Sequence, residues 1–212
     1  MYYNVIQLFY FLKFYLVVQM KPFMKIFSQN ILNYGIPVPE NSILRINLAW
    51  INSMEDLKFI LKKNKNSDIF LDLPIGRTKP PNNKYSFEDI LAILQNYKNI
   101  KFFAVSNVNS PNNIQEFIEK IPEHVSLVPK IESPEGVKNI QGIVDLLGPQ
   151  KIIMLDHDDL YSNLIRKNEK PEKFKEYVAT LSNFCQNNNV IMLRTIGVIF
   201  SDDETRLTEY VN

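Results

Sequence analysis

This chain of 212 residues has little cysteine or histidine and almost no net charge. Its one cysteine, Cys185, cannot form an internal disulfide, and two histidines with one cysteine are a poor supply of zinc ligands. Lysine and arginine total 24 against 23 acidic residues, which gives no overall basic field for nucleic acid and no acidic tail. We therefore expect a cytoplasmic protein whose partners are small molecules.

A long uninterrupted hydrophobic run is also absent, although the first twenty residues, MYYNVIQLFYFLKFYLVVQM, are aromatic and apolar. Asn4, Gln7 and Lys13 interrupt this stretch, so its apolar part is shorter than the roughly 20 residues of a membrane-spanning helix. No basic region precedes it and no small-residue cleavage site follows it, as a signal peptide would require. We expect residues 1–24 to be an apolar extension that packs on the domain or lies upstream of the true start, with a membrane anchor as the alternative.

From residue 43 onward, short apolar runs alternate with amphipathic stretches. The runs that predict strands are ILRINL (43–48), IFLDL (69–73), KFFAV (101–105), VSLVPKI (125–131), KIIML (151–155) and VIML (190–193), with a further candidate in KPFMKIF. Helices are predicted between them from Ser53 and Ser86, each followed by an aspartate three residues later, from two Ser-Pro pairs, and over 171–186. This alternation predicts parallel strands covered by helices in one α/β domain, residues 25–212.

Polar residues stand at or just beyond the carboxyl ends of six successive strands. They are Arg45, Asn47, Asp72, Ser106, Lys130, Glu132, Asp159, Arg194 and Thr195. In a barrel all strand ends face one mouth, whereas an open sheet gathers its site at a single switch point. Glycine is also scarce, and no glycine-rich phosphate loop follows any strand, which argues against a nucleotide-binding open sheet.

We therefore predict a TIM-type (β/α)8 barrel, and an incomplete one. Seven strands can be identified, and no eighth is indicated in SDDETRLTEYVN. A barrel with a missing strand has open edges. Three explanations remain open: the N-terminal segment closes the barrel, a partner does so, or the chain is truncated. A homo-oligomer is also possible.

A cation and an anion share one face of a predicted strand in VPKIESPEG, residues 128–136. Lys130 and Glu132 are two residues apart, so both point to one side of the strand and Ile131 points to the other. On this pair alone, a local ion pair at the barrel rim and a functional pair at a strand end are equally good interpretations.

Five segments follow one another over about residues 43–196: ILRINLAW, LDLPIGRTK, FFAVSNVNSPNNI, PKIESPEGVKNI and IIMLDHDDLY. In this order they resemble the barrel domain of pyruvate kinases. The resemblance implies phosphoryl transfer between phosphoenolpyruvate or pyruvate and a nucleotide, ADP or ATP. Pyruvate kinases also carry an inserted lid domain after the third strand and a C-terminal domain, and we expect this chain to lack both.

The resemblance also assigns roles to the residues at the mouth. It implies that Glu132 and Asp159 bind Mg²⁺ or Mn²⁺ and that Lys130 is the catalytic residue that stabilises the moving phosphoryl group. The implied substrate-binding residues are Arg45, Ser106, Asp159 and Thr195. The implied nucleotide-phosphate contacts are Arg77 and Lys79. The implied K⁺ ligands are Asn47 and Asp72, although Ala49, Trp50 and Leu73 depart from the family's residues around that ion.

The segment LDHDDL departs most from the family, which has Ala-Arg-Gly-Asp at this point. Asp156, His157 and Asp158 here precede Asp159, and three acids beside a metal could bind it more tightly or repel an anionic substrate. His157 is predicted to be a loop residue and not a ligand. Two alternatives to a kinase stay open: a metal-dependent 2-oxo acid carbon–carbon lyase of the citrate lyase and aldolase group, and a non-catalytic homologue.

Overall fold

The computed structural model describes residues 24–29, 39–77, 80–200 and 204–210, with the chain after Arg194 described by its backbone alone. The strands within these ranges are β1 (Ile26–Gln29), β2 (Ile43–Asn47), β3 (Ile69–Leu73), β4 (Ile100–Val105), β5 (Ser126–Ile131), β6 (Ile152–Leu155), β7 (Ile191–Phe200) and β8 (Glu204–Tyr210). The α-helices are α1 (Met54–Lys63), α2 (Phe87–Asn96), α3 (Gln115–Lys120), α4 (Pro134–Lys138), α5 (Ile140–Asp145), α6 (His157–Arg166) and α7 (Lys173–Asn187). Leu48–Trp50 and Pro111–Asn113 form single 3₁₀ turns.

The eight strands form a closed barrel in chain order. Strands β1 to β7 run parallel, which confirms the predicted α/β alternation. Strand β8 lies in the segment where no strand was expected, so that prediction was wrong, and it runs antiparallel to both β7 and β1. Its sequence, ETRLTEY, has one aliphatic residue and therefore no hydrophobic alternation to indicate a strand. As a (β/α)8 barrel the fold is incomplete, because residues 201–203 alone join β7 to β8.

The strands carry two hydrophobic cores, because successive side chains point alternately into the barrel and towards the helices. The buried residues inside the barrel are Met24, Ile26, Phe70, Phe102, Ala104, Val128, Ile152, Met154 and Leu193. The intervening residues, such as Leu71, Phe103 and Ile131, pack against the helices. The rings of Phe70 and Phe102 stack 6.1 Å apart inside the barrel. The mouth therefore lies over a packed apolar floor.

Local capping fixes the helix starts that the sequence predicts. Ser53 Oγ accepts from the Asp56 amide at 3.1 Å, and Ser86 with Asp89 forms a reciprocal capping box. The helix predicted from Ser133 begins at Pro134 but is interrupted at Asn139, whose side chain donates to the carbonyl of Asn109. The helices predicted from Ser53 and Ser86 are thus confirmed at their starts, and the one predicted from Ser133 is two shorter helices. The helix predicted from Ser110-Pro111 opens instead with the 3₁₀ turn Pro111–Asn113, and its α-helix begins at Gln115. The helix predicted over 171–186 spans Lys173–Asn187.

The N-terminal prediction concerns residues 1–24, of which residues 1–23 lie outside the described residues. Met24 is buried with the apolar residues inside the barrel. In the part of the chain that the structure describes, no helix combines the length and the hydropathy needed to cross a bilayer.

Candidate active site at the barrel mouth

Lys130 is the centre of a charged cluster at the mouth, and only 5% of the residue is exposed. Its Nζ lies 2.8 Å from Glu132 Oε1, 3.8 Å from Asp72 Oδ2 and 3.9 Å from Asp156 Oδ2. It also donates to Ser106 Oγ at 3.1 Å. Burial alone lowers the pKa of Lys130, but Asp72 and Glu132 raise it above its usual value overall. The side chain is therefore a buried cation at neutral pH.

Asp72 lies at the end of β3 and is completely buried between two cations. Arg45 donates to Asp72 Oδ2 from Nε at 3.2 Å and makes a closer contact with the same oxygen from Nη2. Burial raises the pKa of Asp72, but Lys130 and Arg45 lower it below its usual value overall. Asn47, the other predicted K⁺ ligand, accepts from the Ala49 amide through its side-chain oxygen. Both residues thus have protein partners, and the K⁺ site stays a prediction.

Glu132 is held from three directions and is 2% exposed. The amide of Asn107 donates to Oε2 at 2.7 Å, and Asn163 Nδ2 donates to the main-chain carbonyl at 2.6 Å. Oε1 accepts no well-directed hydrogen bond, although the Lys130 ammonium is close. Burial, together with Asp156, raises the pKa of Glu132 in spite of the lowering effect of Lys130. A buried carboxylate of this kind shares a proton or a cation with its neighbour.

Three carboxylates meet at one point of the mouth. Glu132, Asp156 and Asp159 each offer an oxygen, and these oxygens lie within 4.8 Å of one another. Asp156 caps α6 by accepting from the Asp159 amide at 3.3 Å, which places Asp156 at the N-cap and Asp159 in the first turn of that helix. Carboxylate oxygens are the ligands that Mg²⁺ and Mn²⁺ prefer. The sequence-predicted pair, Glu132 and Asp159, is therefore together, with a third acid beside it.

The charge of the cluster also fits a divalent cation. Its carboxylates are Asp72, Glu132, Asp156 and Asp159, and its cations are Arg45 and Lys130. Counted as fully ionised, these six groups leave an excess of two negative charges, and Arg77 also acts on Asp72 as a positive charge. A divalent ion would relieve the repulsion among the acids.

Asp156 was missed as a functional residue, although the strand period could have identified it. Ile152 and Met154 point into the barrel, so the next residue on that side is Asp156. From the sequence, Asp156 was expected only to lie among three acids beside a metal, without a role as a ligand. Its oxygen lies close enough to Lys130 and to the other acids to influence both.

Helix α6 was not predicted, and His157 is its first residue and not a loop residue. The signals were present: Asp156 is an N-cap, and Leu160 and Leu164 are four residues apart and completely buried. Burial, helped by Arg194, lowers the pKa of His157 below its usual value. Its ring is therefore mostly neutral at neutral pH.

Three predicted binding residues make no described hydrogen bond or ion pair with this cluster, although the charge of Arg77 contributes to lowering the pKa of Asp72. Arg77 donates from Nε to the carbonyl of Pro81 at 2.8 Å and from Nη2 to that of Pro80 at 3.3 Å. Lys79 lies outside the described residues. Thr195 is placed on β7 by its backbone, without a described side chain. Their binding roles stay predictions.

No protein-family model and no curated protein matches the chain. Solved structures with a similar fold do match it, and two of them are citrate synthase SbnG and RipC. Citrate synthase SbnG matches with a TM-score of 0.56 and 13% sequence identity, over 79% of this chain and 75% of that one. RipC from Yersinia pestis matches with a TM-score of 0.51 and 17% identity, over 71% of this chain and 67% of that one. At these identities the likeness shows the fold alone, so the chain has the α/β fold of these two proteins.

Proposed function

We propose that the barrel mouth binds Mg²⁺ or Mn²⁺ and promotes enolisation of a 2-oxo acid, in a carbon–carbon lyase of the citrate lyase and aldolase type. The observation that carries the proposal is the convergence of Glu132, Asp156 and Asp159 beside the buried cation Lys130. Glu132 and Asp159 would hold the metal with Asp156 beside them. A bound divalent ion would polarise the oxo and carboxylate oxygens of the substrate.

The residues of the chain would supply fixed charge around the reacting group. Enolisation transfers a proton from the carbon beside the oxo group to solvent and moves negative charge onto the former oxo oxygen. Preorganised cations stabilise such charge strongly. Lys130 is held by Ser106 and three carboxylates, so its ammonium does not need to reorient during the reaction. Arg45, fixed by Asp72, adds a second cation beside it for the carboxylate of the substrate.

One observation favours a lyase over a kinase. The connection between β3 and α2 is short, residues 74–86, and within it Arg77 of the predicted nucleotide-phosphate pair donates to neighbouring loop carbonyls. The structural neighbour named citrate synthase is compatible with a lyase, although its likeness shows the fold alone. Phosphoryl transfer of the pyruvate kinase type is the second candidate, because a buried, charged Lys130 also suits a moving phosphoryl group.

Exchange of pyruvate methyl protons in D₂O tests the proposal. With Mn²⁺ or Mg²⁺ and no nucleotide, the protein is expected to accelerate exchange, measured by proton NMR, because enolisation is the step the site would promote. Glu132→Gln and Asp159→Asn are expected to reduce exchange to that of free metal ion. Asp158→Asn is the matched control, since it removes an exposed acid from the same helical turn without touching the carboxylate trio.

The other outcomes separate the rival functions. Phosphoryl transfer from phosphoenolpyruvate to ADP without methyl exchange would contradict the lyase and favour the kinase. Metal binding with neither reaction would contradict both and favour a non-catalytic homologue.

A further inference from the structure

We propose that Asn107 is a positioning residue for the metal ligand Glu132, an inference that rests on the proposed function of the site. Asn107 follows β4 by two residues, and its backbone is left-handed, with φ of 56°. Its amide donates to Glu132 Oε2 at 2.7 Å. The side chain of the proposed ligand is thus fixed by the backbone of a neighbouring strand end.

The left-handed turn is what aims this amide into the mouth. The residue before it, Ser106, donates its amide to the carbonyl of Leu73 on β3, and the residue after it, Val108, donates to the carbonyl of Lys130 on β5. Of these three successive amides, those of Ser106 and Val108 donate to main-chain carbonyls, and that of Asn107 donates to a carboxylate. Residues with a Cβ rarely adopt such a φ, and asparagine is among those that adopt it most readily.

The side chain of Asn107 holds the turn in place from the other side. Its Nδ2 donates to the carbonyl of Ile75 at 2.6 Å, in the loop after β3. The next residue in that loop is Gly76, with φ of 69°, and a Cβ there would lie 3.2 Å from Asn107 Nδ2. The two loops therefore fit closely, and Asn107 joins the ends of β3, β4 and β5 at the carboxylate of Glu132.

The hydrogen bond from the Asn107 amide affects how tightly Glu132 would bind a metal. The amide occupies Oε2 and so restricts the orientation of the whole carboxylate, while Oε1 accepts no well-directed hydrogen bond. A ligand held in one orientation binds a metal more tightly than one that must be ordered on binding, and the loss of such a supporting contact typically weakens affinity by about 10- to 100-fold.

The experiment is a calorimetric titration of Mn²⁺ into the full chain and three variants. Asn107→Ala disfavours the left-handed turn and removes the bond to Ile75, so we expect Mn²⁺ affinity to fall by roughly 10- to 100-fold. Asn107→Gly accepts φ of 56° without strain, so it is expected to keep most of the affinity. Asn189→Ala is the matched control: it imposes the same strain at φ of 54°, between α7 and β7 and away from the mouth, and is expected to bind Mn²⁺ as the parent does.

Two results would overturn this inference: parental affinity in Asn107→Ala, or an equal loss in Asn189→Ala. The first would show that Glu132 needs no support from Asn107. The second would show that general destabilisation explains the effect. Failure of the parent protein itself to bind Mn²⁺ is a separate result, which would contradict the proposed function and its metal site.

Discussion

Millimolar Mg²⁺ or Mn²⁺ is expected to raise the melting temperature of the protein, and oxalate, which resembles an enolate of pyruvate, is expected to enlarge the rise. A ligand that binds only the folded state stabilises it by about 2.7 kcal/mol at a free concentration of about 100 times its Kd. For a chain of this size that corresponds to a rise of roughly 5 to 10 °C. The physical reason is that the cation relieves repulsion among carboxylates that lie within 4.8 Å of one another. Thermal melts followed by circular dichroism measure it.

The variants in this experiment separate a metal site from a rim ion pair. Glu132→Gln and Asp159→Asn are expected to lose the response to metal, whereas Asp158→Asn is expected to keep it. A simple ion pair between Lys130 and Glu132 would be indifferent to Mg²⁺ and slightly weakened by salt. Superimposable melts of the parent protein with and without metal, both in oxalate, would leave the site without support.

Lys130→Met is expected to lower the free energy of unfolding by about 3 to 5 kcal/mol at neutral pH, because it leaves buried carboxylates without their cation. Lys130 is the shared partner of Asp72, Glu132 and Asp156, all within 4 Å of its Nζ. Urea unfolding measures the loss. Lys62→Met, on the exposed face of α1, is the control and is expected to change stability by less than about 0.5 kcal/mol.

The dependence of this loss on pH follows from the direction of each shift. The raised pKa of Lys130 gives stability that is complete below the usual value of 10.5 and is lost only as the pH rises through the folded value. The lowered pKa of Asp72 gives stability that is present above 3.8 and is lost as the pH falls through its folded value. At neutral pH, both of these contributions to stability are therefore present.

Without Lys130, the pKa values of Asp72 and Glu132 in the folded state are expected to rise, since that lysine lowers both. A raised carboxyl pKa stabilises the fold only at low pH, so the deficit of Lys130→Met should shrink as the pH falls from 7 towards 4. A deficit that is the same at both pH values would contradict the charge argument and point to lost packing alone.

The parts of the fold that the sequence could predict depend on short-range physics. Ser53 and Ser86 begin helices because their hydroxyl oxygens accept from amides three residues later, a contact set by local sequence. The run IFLDL is a strand with the predicted bounds, Ile69–Leu73, because a short apolar run of this length is typical of a buried parallel strand. The sequence also predicts that Lys130 and Glu132 lie on the same side of their strand, because side chains two residues apart in a strand point the same way.

The parts that it could not predict depend on contacts between distant segments. The partner of Arg45 is Asp72, 27 residues away, and no local pattern indicates that pair. Strand β8 is formed by hydrogen bonds to β1 and β7, not by an apolar face of its own. The role of Asn107 in holding Glu132 requires its left-handed backbone, which an asparagine in a loop makes easier but does not predict.

A calorimetric titration of Mg²⁺ into the protein, with and without oxalate, tests the central claim most directly. The site of Glu132, Asp156 and Asp159 predicts one ion per chain, tighter binding when oxalate is present, and no binding in Glu132→Gln. The absence of any binding heat in the parent protein under both conditions, with Mn²⁺ giving the same result, would contradict the metal site and the proposed function with it.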